Sequence, residues 1–371
     1  MPGSFKNILS CIGLSLSLGL ASVNAQILQD STTLNLVRED VDYIYNLQFT
    51  SAREVYEKII RLYPEHPIVF LLKGILTYWE NYPMLHTSIA RASFEEDMLR
   101  CIKLSETNKN PDYEAEYLLA NLCARGMLLM FYDDNGLIME VISLTTSSYK
   151  HLKHAFDLNS ACSDLYYFTG AYNYYREAYP RIYPVYKPFL LLFRSGNTEL
   201  GIKELQKACL NSVVLRGESY SLLSSIYLNF ENNYPQSLYY YRALHEQYPE
   251  NEYYVNLYIK NLLFMKQYNE AEKLIYASQE SGRNDYFQAQ HIILKGILQE
   301  KKYHDNKLAQ QYYKTGITGI SSFGEYGSEF AAYAYFGLSR ISEANGEAQL
   351  KKTYRKEAMK LADFEKITFD N

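Results

Sequence analysis

A recurring pattern of small and aromatic residues is the feature that most constrains how this chain folds. In residues 220–282 the pattern runs twice, each time as two helices joined by a short turn, and Gly282 ends the second run. The first run is carried by Tyr220, Leu223, Ser224, Tyr227, Tyr234, Ser237, Tyr241, Leu244 and Pro249, and the second by Val255, Tyr258, Leu262, Tyr268, Ala271, Ile275 and Ser278. Such helix pairs stack into an array, because one pair cannot bury its apolar face alone.

This pattern resembles the tetratricopeptide repeat (TPR), in which helix pairs recur about every 34 residues. Looser copies extend over most of the chain, after a partial pair at residues 41–64. The first helices of the pairs are expected to begin near Pro67, Tyr113, Ser163, Gly217, Glu252, Ala289 and Phe330. No sustained β-strand alternation is present in the sequence. The resemblance implies an all-α, right-handed α-solenoid of about seven TPR-like helix pairs, with an insert rich in aromatic residues and proline.

The repeats divide the chain into four predicted parts. Residues 1–25 form an export signal, and residues 26–160 form N-terminal TPR-like helical repeats. Residues 161–215 form an irregular repeat with a Tyr/Pro-rich insert, and residues 216–371 form C-terminal TPR repeats. In the TPR family the concave face of the array is the usual binding surface, so the resemblance implies a groove that holds a partner.

The first 25 residues have the three parts of a cleaved signal peptide. Lys6 lies in a short polar start, residues 8–20 are mostly apolar, and the small residues Val23 and Ala25 precede the predicted cleavage site before Gln26. The apolar stretch is shorter than the ~20 residues that span a bilayer. No N-x-[ST] glycosylation acceptor occurs in the sequence, which favours a bacterial periplasm or envelope over a eukaryotic secretory route.

Charge and composition restrict the classes of partner. The chain has 37 basic and 42 acidic residues, a formal net charge of −5, and no run of Lys and Arg that could form a nucleic-acid surface. No other segment is long and apolar enough to predict a membrane span in the mature chain. Tyrosine is abundant, with 38 residues against 17 Phe and 1 Trp, and its ring can pack on one edge while its hydroxyl stays wet. The predicted partner is a protein or peptide, with a glycan as the alternative.

Four cysteines remain after the predicted signal: Cys101, Cys123, Cys162 and Cys209. Their wide spacing gives no disulfide framework, although an exported chain permits disulfides. Two interpretations stay open, namely burial as small apolar side chains and at least one disulfide bridge.

Residues 166–193 are the densest aromatic and proline segment of the chain. Pro180, Pro184 and Pro188 recur every four residues, and each removes an amide hydrogen and clashes with the preceding helical turn. The sequence therefore predicts an ordered loop or short extended pieces here, between a helix that begins near Asp164 and a helix at residues 198–209. Together with Gly196, Gly201, Ile202 and Leu205, the segment is similar to the eukaryotic TPR 39 / Iml2 group, a similarity that implies no specific function.

This segment supplies the candidate binding residues, with two interpretations. In the first, its rings pack against the solenoid and seal a broken repeat. In the second, they form a recognition surface for a peptide or a glycan, because Tyr and Arg are enriched at binding hot spots. The candidate residues are Tyr172, Tyr175, Arg176, Tyr179, Arg181, Tyr183, Tyr186 and Lys187.

The sequence contains no motif of a known catalytic site: no HExxH, P-loop, dinucleotide-binding glycine motif or G-x-S-x-G elbow. His151, His154 and Asp157 lie three residues apart on a predicted helix, but three-residue steps drift around the helix, and a solvated surface explains them better than a zinc site. We therefore expect no catalytic residues, cofactor or metal. The predicted function is a non-enzymatic scaffold, with glycan binding through the Tyr-rich insert as the alternative.

Overall fold

The computed structural model describes residues 26–107, 110–188, 190, 193–277, 284–362 and 368–370. Across these residues the chain is built from helices, and none of them belongs to a strand. None of the described helices is both long and apolar enough to cross a membrane. The predicted export signal at residues 1–25 and the helix end at Gly282 lie outside the described residues.

The helices follow one another with short connections. They are α1 Ser31–Tyr45, α2 Phe49–Leu62, α3 Pro67–Glu80, α4 Arg91–Thr107, α5 Glu114–Asp134, α6 Ile138–Leu158, α7 Leu165–Ile182, α8 Thr198–Asn211, α9 Arg216–Asn229, α10 Tyr234–Gln247, α11 Glu252–Phe264, α12 Tyr268–Ala277, α13 Asp285–Leu298, α14 Asn306–Ile320, α15 Ser328–Ala344 and α16 Ala348–Leu361. Short 3₁₀ or π turns lie at Pro111–Tyr113, Pro184–Tyr186, Gln299–Tyr303 and Ser321–Gly327.

Many of these helices begin at an asparagine or aspartate that caps the free amide groups of the first turn. Asp30 accepts from the amide of Thr33, and Asn197 accepts from the amide of Leu200, each at 2.8 Å. Asn251 does the same at the start of α11. Since short polar side chains satisfy N-terminal amides well, these residues set the helix starts locally.

Consecutive helices pack as antiparallel pairs, from α1 with α2 to α15 with α16. The predicted starts of the first helices are confirmed, because each lies within four residues of the start of α3, α5, α7, α9, α11, α13 or α15. The partial pair predicted at residues 41–64 overlaps α1 and α2. The helical repeat is therefore confirmed, whereas the right-handed twist and the TPR family stay predictions.

The odd-numbered helices form an inner layer and the even-numbered helices an outer one. Helix α3 contacts α1 and α5, and α13 contacts α11 and α15, so the inner helices touch from pair to pair within the first three and the last three pairs. Helix α11 is buried on nearly all sides, whereas the outer helix α16 buries only Ala358. One core of buried side chains runs from Ile27 to Phe369, and it crosses the boundaries of the predicted domain division.

The Tyr/Pro-rich segment differs from the predicted loop. Helix α7 continues through Pro180 to Ile182, so the loop prediction is wrong for residues 166–182. Pro180 lies in the last turn of α7, where it removes one backbone hydrogen bond but leaves the bonds of the preceding turns in place. The irregular structure begins only at Tyr183, before the 3₁₀ turn Pro184–Tyr186. The following helix, predicted at residues 198–209, is confirmed as α8.

The four cysteines are unpaired in the structure. Cys101, Cys123 and Cys209 are buried, and Cys162 is half-buried. Burial raises the pKa of the Cys101 thiol to about 12, despite a lowering hydrogen bond from Ser105, so this thiol stays protonated at neutral pH. These side chains pack as small apolar residues.

Candidate functional site

The first helices of the array contact helices of its second half. The end of α1 lies against the starts of α9 and α11, where the Tyr45 hydroxyl donates to Glu218 at 3.0 Å and the Asn251 amide donates to the Tyr45 carbonyl at 2.7 Å. The Tyr248 hydroxyl donates to Asp42 at 3.0 Å. These bonds join residues about 200 positions apart in the sequence. We call this contact of α1, α3 and the loop after α3 with α9–α13 and with the turn Ser321–Gly327 the closing interface.

Aromatic rings form most of the closing interface. The ring of Tyr82, just after α3, lies 5.4–6.0 Å from the rings of Tyr253, Tyr286, Phe287 and Tyr326. Backbone carbonyls of the same loop are also bonded, since Asn284 donates to the Tyr82 carbonyl and Tyr326 donates to the Met84 carbonyl. The chain therefore covers this part of the second half of the array with its own first helices.

A cavity of about 300 Å³ remains on the inner face of the array. Its walls come from α7, α9, α11 and α15, together with Tyr241 of α10. Ser221, Ser225 and Asn229 line it at four-residue spacing along one face of α9. A cavity of this size lies at the lower end of small-ligand pockets and is too small for a helix about 10 Å across.

Three charged residues line this inner cavity: Lys260 and Glu329 are paired, and Glu218 accepts the hydrogen bond from the Tyr45 hydroxyl. Lys260 donates to Glu329 at 2.9 Å, and Tyr333 also donates to that carboxylate. Burial by itself would raise the pKa of Glu329, but the Lys260 charge and these two bonds hold it below its usual range. The pair stays ionised and mutually satisfied, so it fixes α11 against α15.

His151, His154 and Asp157 do not converge on one point. His151 lies 3.5 Å from Glu106, His154 lies 2.9 Å from Glu114, and Asp157 is exposed. The two histidines line a cavity of about 540 Å³ together with Arg125, whose guanidinium donates to Asn121, Ser147 and Glu106. Burial and the Arg125 charge lower the pKa of His151. Within the described residues no group of three or more His, Cys, Asp or Glu side chains is arranged to hold a metal ion.

Three of the candidate binding residues support the fold. The Tyr172 ring packs against Tyr149 and Phe156, and the Tyr175 ring packs against Phe230. Arg176 donates to the Leu190 carbonyl and pairs with Glu177, each at 3.0 Å. These contacts hold the chain after α7 against the helices.

Other candidates lie on the surface. Tyr179 is 40 % exposed, its ring lies 4.7 Å from that of Tyr183, and Arg181 and Lys187 are exposed. The side chain of Tyr186 lies outside the described residues. The structure therefore divides the candidates between a packed group and a surface group at the end of α7.

The start of α6 adds apolar residues that the sequence analysis missed. Helix α6 has 21 residues but buries only Ala155, and Ile138, Met139 and Ile142 are 67 %, 75 % and 59 % exposed. Their close spacing resembles that of an ordinary core-facing helix, so periodicity alone gave no sign that they face outward. What distinguishes them is that no helix in the described part of the chain covers this part of α6.

The exposed parts of α6 and α7 lie at the same level. The two helices are antiparallel, and Tyr149 of α6 contacts Tyr172 of α7 and Phe193 of the following segment. Ile142 lies about 10 Å before Tyr149 along α6, and Tyr179 lies about 10 Å after Tyr172 along α7. Because the two helices run in opposite directions, Ile142 and Tyr179 are displaced from the Tyr149–Tyr172 contact in the same direction. We call this region the α6–α7 surface; it comprises Ile138, Met139, Ile142, Tyr179, Arg181, Ile182, Tyr183, Val185, Lys187 and Phe193.

Comparison with known proteins adds no family to these observations. No protein-family model matches the chain, and no curated protein matches it. The resemblance to tetratricopeptide repeats therefore rests on the residue pattern, and the helix pairs establish a helical repeat array.

Proposed function

We propose that this chain is a non-enzymatic scaffold of a bacterial periplasm or envelope that binds a protein partner through the α6–α7 surface. The observation that carries the proposal is the run of uncovered apolar side chains at the start of α6 and the end of α7. Large contiguous apolar patches on a folded protein mark interaction sites. The periplasmic location rests on the predicted export signal, and the absence of catalytic motifs supports binding by elimination.

Charge indicates the chemistry of the partner. Arg181, Lys187 and Arg194 are exposed around the apolar residues of the α7 part, where Glu177 is paired with Arg176, and Glu140 is exposed within the α6 part. This basic region lies on a chain whose formal net charge is −5. A segment with acidic residues beside apolar ones complements the α6–α7 surface, because opposite potentials steer association and fix orientation.

Site-specific photo-crosslinking tests the location of the binding surface. A photoreactive amino acid replaces Ile142 or Val185, and the control position is Leu210, which is 71 % exposed at the end of α8. We expect both surface positions to crosslink the same acidic protein in cells and the control position to give no such adduct. Adducts that are equally strong at all three positions would show that binding does not depend on this surface.

Charge reversal tests whether the basic residues of the α6–α7 surface bind the partner that crosslinking identifies. The double variant Arg181→Glu, Lys187→Glu should weaken binding by about tenfold or more, since two cations facing an acidic partner become repulsive. The double variant Lys352→Glu, Lys356→Glu on the exposed face of α16 makes the same change in net charge and should bind as the wild type does. Equal losses in both variants would assign the effect to net charge alone.

Glycan binding remains the second candidate, because the rings of Tyr179 and Tyr183 lie 4.7 Å apart and Tyr179 is partly exposed. Sugars stack on such rings. A carbohydrate array separates the two functions: saturable binding of an oligosaccharide that is lost in Tyr179→Ala would support this candidate, and a blank array would remove it.

A further inference from the structure

Two glutamates line the inner cavity, and only one of them has a positive partner. Glu329 is paired with Lys260, and although burial opposes it, the Lys260 charge holds the pKa of Glu329 below its usual range. Burial raises the pKa of Glu218, and what lowers it is a hydrogen bond from the neutral Tyr45 hydroxyl. Among the described residues, no cation therefore stabilises the Glu218 carboxylate.

The Glu218 carboxylate has one oxygen for a further partner. A carboxylate withdrawn from water costs free energy unless a positive charge or several hydrogen bonds compensate it. The Tyr45 hydroxyl donates to Oε1 of Glu218 at 3.0 Å, which leaves Oε2. Because Glu218 lines the cavity, a positively charged ligand that enters the cavity can supply the missing partner.

Polar side chains continue from Glu218 along the same wall of the inner cavity. Ser221, Ser225 and Asn229 follow Glu218 on one face of α9, and at 1.5 Å per residue this row extends about 16 Å. A volume of about 300 Å³ spread along this row fits a linear molecule better than a bulky one. The five helices that line the cavity, α7, α9, α10, α11 and α15, lie entirely within the described residues.

We propose that the inner cavity binds a small linear primary amine, whose ammonium group donates to Glu218 and whose chain lies along the polar row of α9. Attraction between the ammonium and the carboxylate is stronger in a cavity than in bulk water. One Lys and two Glu give the cavity a formal charge of −1, which disfavours anionic ligands. The hydroxyl and amide groups of the row can both donate and accept hydrogen bonds, so they suit a polar chain. This site does not depend on the function proposed for the α6–α7 surface.

A matched pair of ligands tests the requirement for a positive charge. Purified full-length protein is titrated by calorimetry with aminopentanol at pH ~7, where an alkylamine is protonated, and at constant ionic strength. The control ligand is pentanediol, in which a second hydroxyl replaces the amino group. We expect saturable binding of aminopentanol and binding of pentanediol that is at least about tenfold weaker.

A matched pair of variants tests the role of Glu218. Glu218→Gln removes the charge but keeps an oxygen that can accept from Tyr45, and it should bind aminopentanol at least about tenfold more weakly. Glu231→Gln is the control, because Glu231 also accepts from a tyrosine hydroxyl, that of Tyr174, but lies outside the cavity. It should bind aminopentanol as the wild type does. Unfolding curves of both variants check that they fold.

A third ligand identifies the source of the amine. In N-acetyl-lysine amide the side chain carries the one amino group, so tighter binding of this compound than of aminopentanol would support the proposal with a peptide lysine as the source. Tighter binding of aminopentanol would support it with a free amine as the source. Equal binding of aminopentanol and pentanediol, unchanged binding by Glu218→Gln, or no saturable response to either amine would overturn the proposal.

Discussion

The closing interface and the α6–α7 surface are both rich in tyrosine, yet their rings have opposite surroundings. In the closing interface Tyr45 and Tyr248 each contact other rings and donate a hydroxyl hydrogen bond to a distant carboxylate. On the α6–α7 surface the Tyr179 and Tyr183 rings lie against each other, and Tyr179 remains 40 % exposed. A dense run of tyrosine therefore does not by itself show whether the rings pack in the fold or bind a partner. What distinguishes the two cases is whether residues from distant parts of the sequence contact the rings.

The largest expected effect is that of truncating a ring in the closing interface. Tyr254 is 1 % exposed and contacts the rings of Tyr45, Trp79 and Tyr248. Tyr254→Ala should lower the free energy of unfolding by about 3–5 kcal/mol, because it removes a fully buried aromatic side chain. Chemical denaturation followed by Trp79 fluorescence measures the loss.

The matched variant Tyr254→Phe keeps the ring and removes a hydroxyl that is buried without a hydrogen-bond partner. It should therefore leave stability unchanged or raise it by up to about 1 kcal/mol. A loss below about 1 kcal/mol for Tyr254→Ala would contradict the packed closing interface and make the two tyrosine-rich regions alike.

The second largest effect is expected for Gly201→Ala, which tests whether α7 is tightly packed on α8. Helix α7 carries half of the α6–α7 surface. A methyl group added at Gly201 would lie 2.7 Å from the Gly170 carbonyl oxygen and from the Tyr174 amide nitrogen. Both are backbone atoms that cannot rotate away. Gly201→Ala should lower the free energy of unfolding by about 1–3 kcal/mol, as measured by thermal or chemical unfolding.

Gly126, within α5, is the matched control. A methyl group there would meet only Phe168, at an ordinary distance of 3.9 Å. Gly126→Ala should stabilise the protein by about 0.5–1 kcal/mol, since alanine favours a helix over glycine. If the two variants had equal effects, the close contact of α7 and α8 would be disproved.

The stability of the fold should depend on pH through Asp40, which lies on α1, a helix of the closing interface. Its carboxylate is fully buried without a hydrogen-bond partner, and burial, with a smaller contribution from Glu39, raises its pKa well above the usual value. An acid whose pKa is raised in the folded state stabilises the fold below its unfolded pKa of about 4 and loses that contribution as the pH rises.

Asp40→Asn should therefore be more stable than the wild type at pH ~7, by more than about 1 kcal/mol, and this advantage should shrink toward pH ~4. Unfolding curves at several pH values measure it. Asp157→Asn on the exposed face of α6 is the control and should show no such trend. An advantage that is equal at all pH values would exclude ionisation of Asp40 as its cause.

The helix pairs could be predicted from the sequence because the signals are local. Small and aromatic residues at helical spacing placed α9 and α10, and Pro67 marks the first residue of α3. The continuation of α7 to Ile182 could not be predicted from its prolines, because the effect of Pro180 depends on how close it lies to the helix end.

The candidate site could be predicted only in part. The segment around Tyr179 stands out in the sequence, but the burial of Tyr172 and Tyr175 depends on rings of α6 and on Phe230. The closing interface joins residues such as Tyr45 and Asn251, about two hundred positions apart in the sequence. A local sequence pattern cannot predict a contact between residues so far apart. The exposure of Ile142 likewise could not be predicted, because it depends on which described helices lie beside the start of α6.

The smallest expected effect on stability is that of the double variant Tyr179→Ala, Tyr183→Ala. Because Tyr179 is 40 % exposed and its ring lies against that of Tyr183, removal of both rings should change the free energy of unfolding by less than about 1 kcal/mol. The same variant should lose most of its binding to the partner identified by crosslinking, measured by titration calorimetry. A loss of stability above about 2 kcal/mol would show that these rings pack as those of the closing interface do, and it would assign them to the fold instead of to recognition.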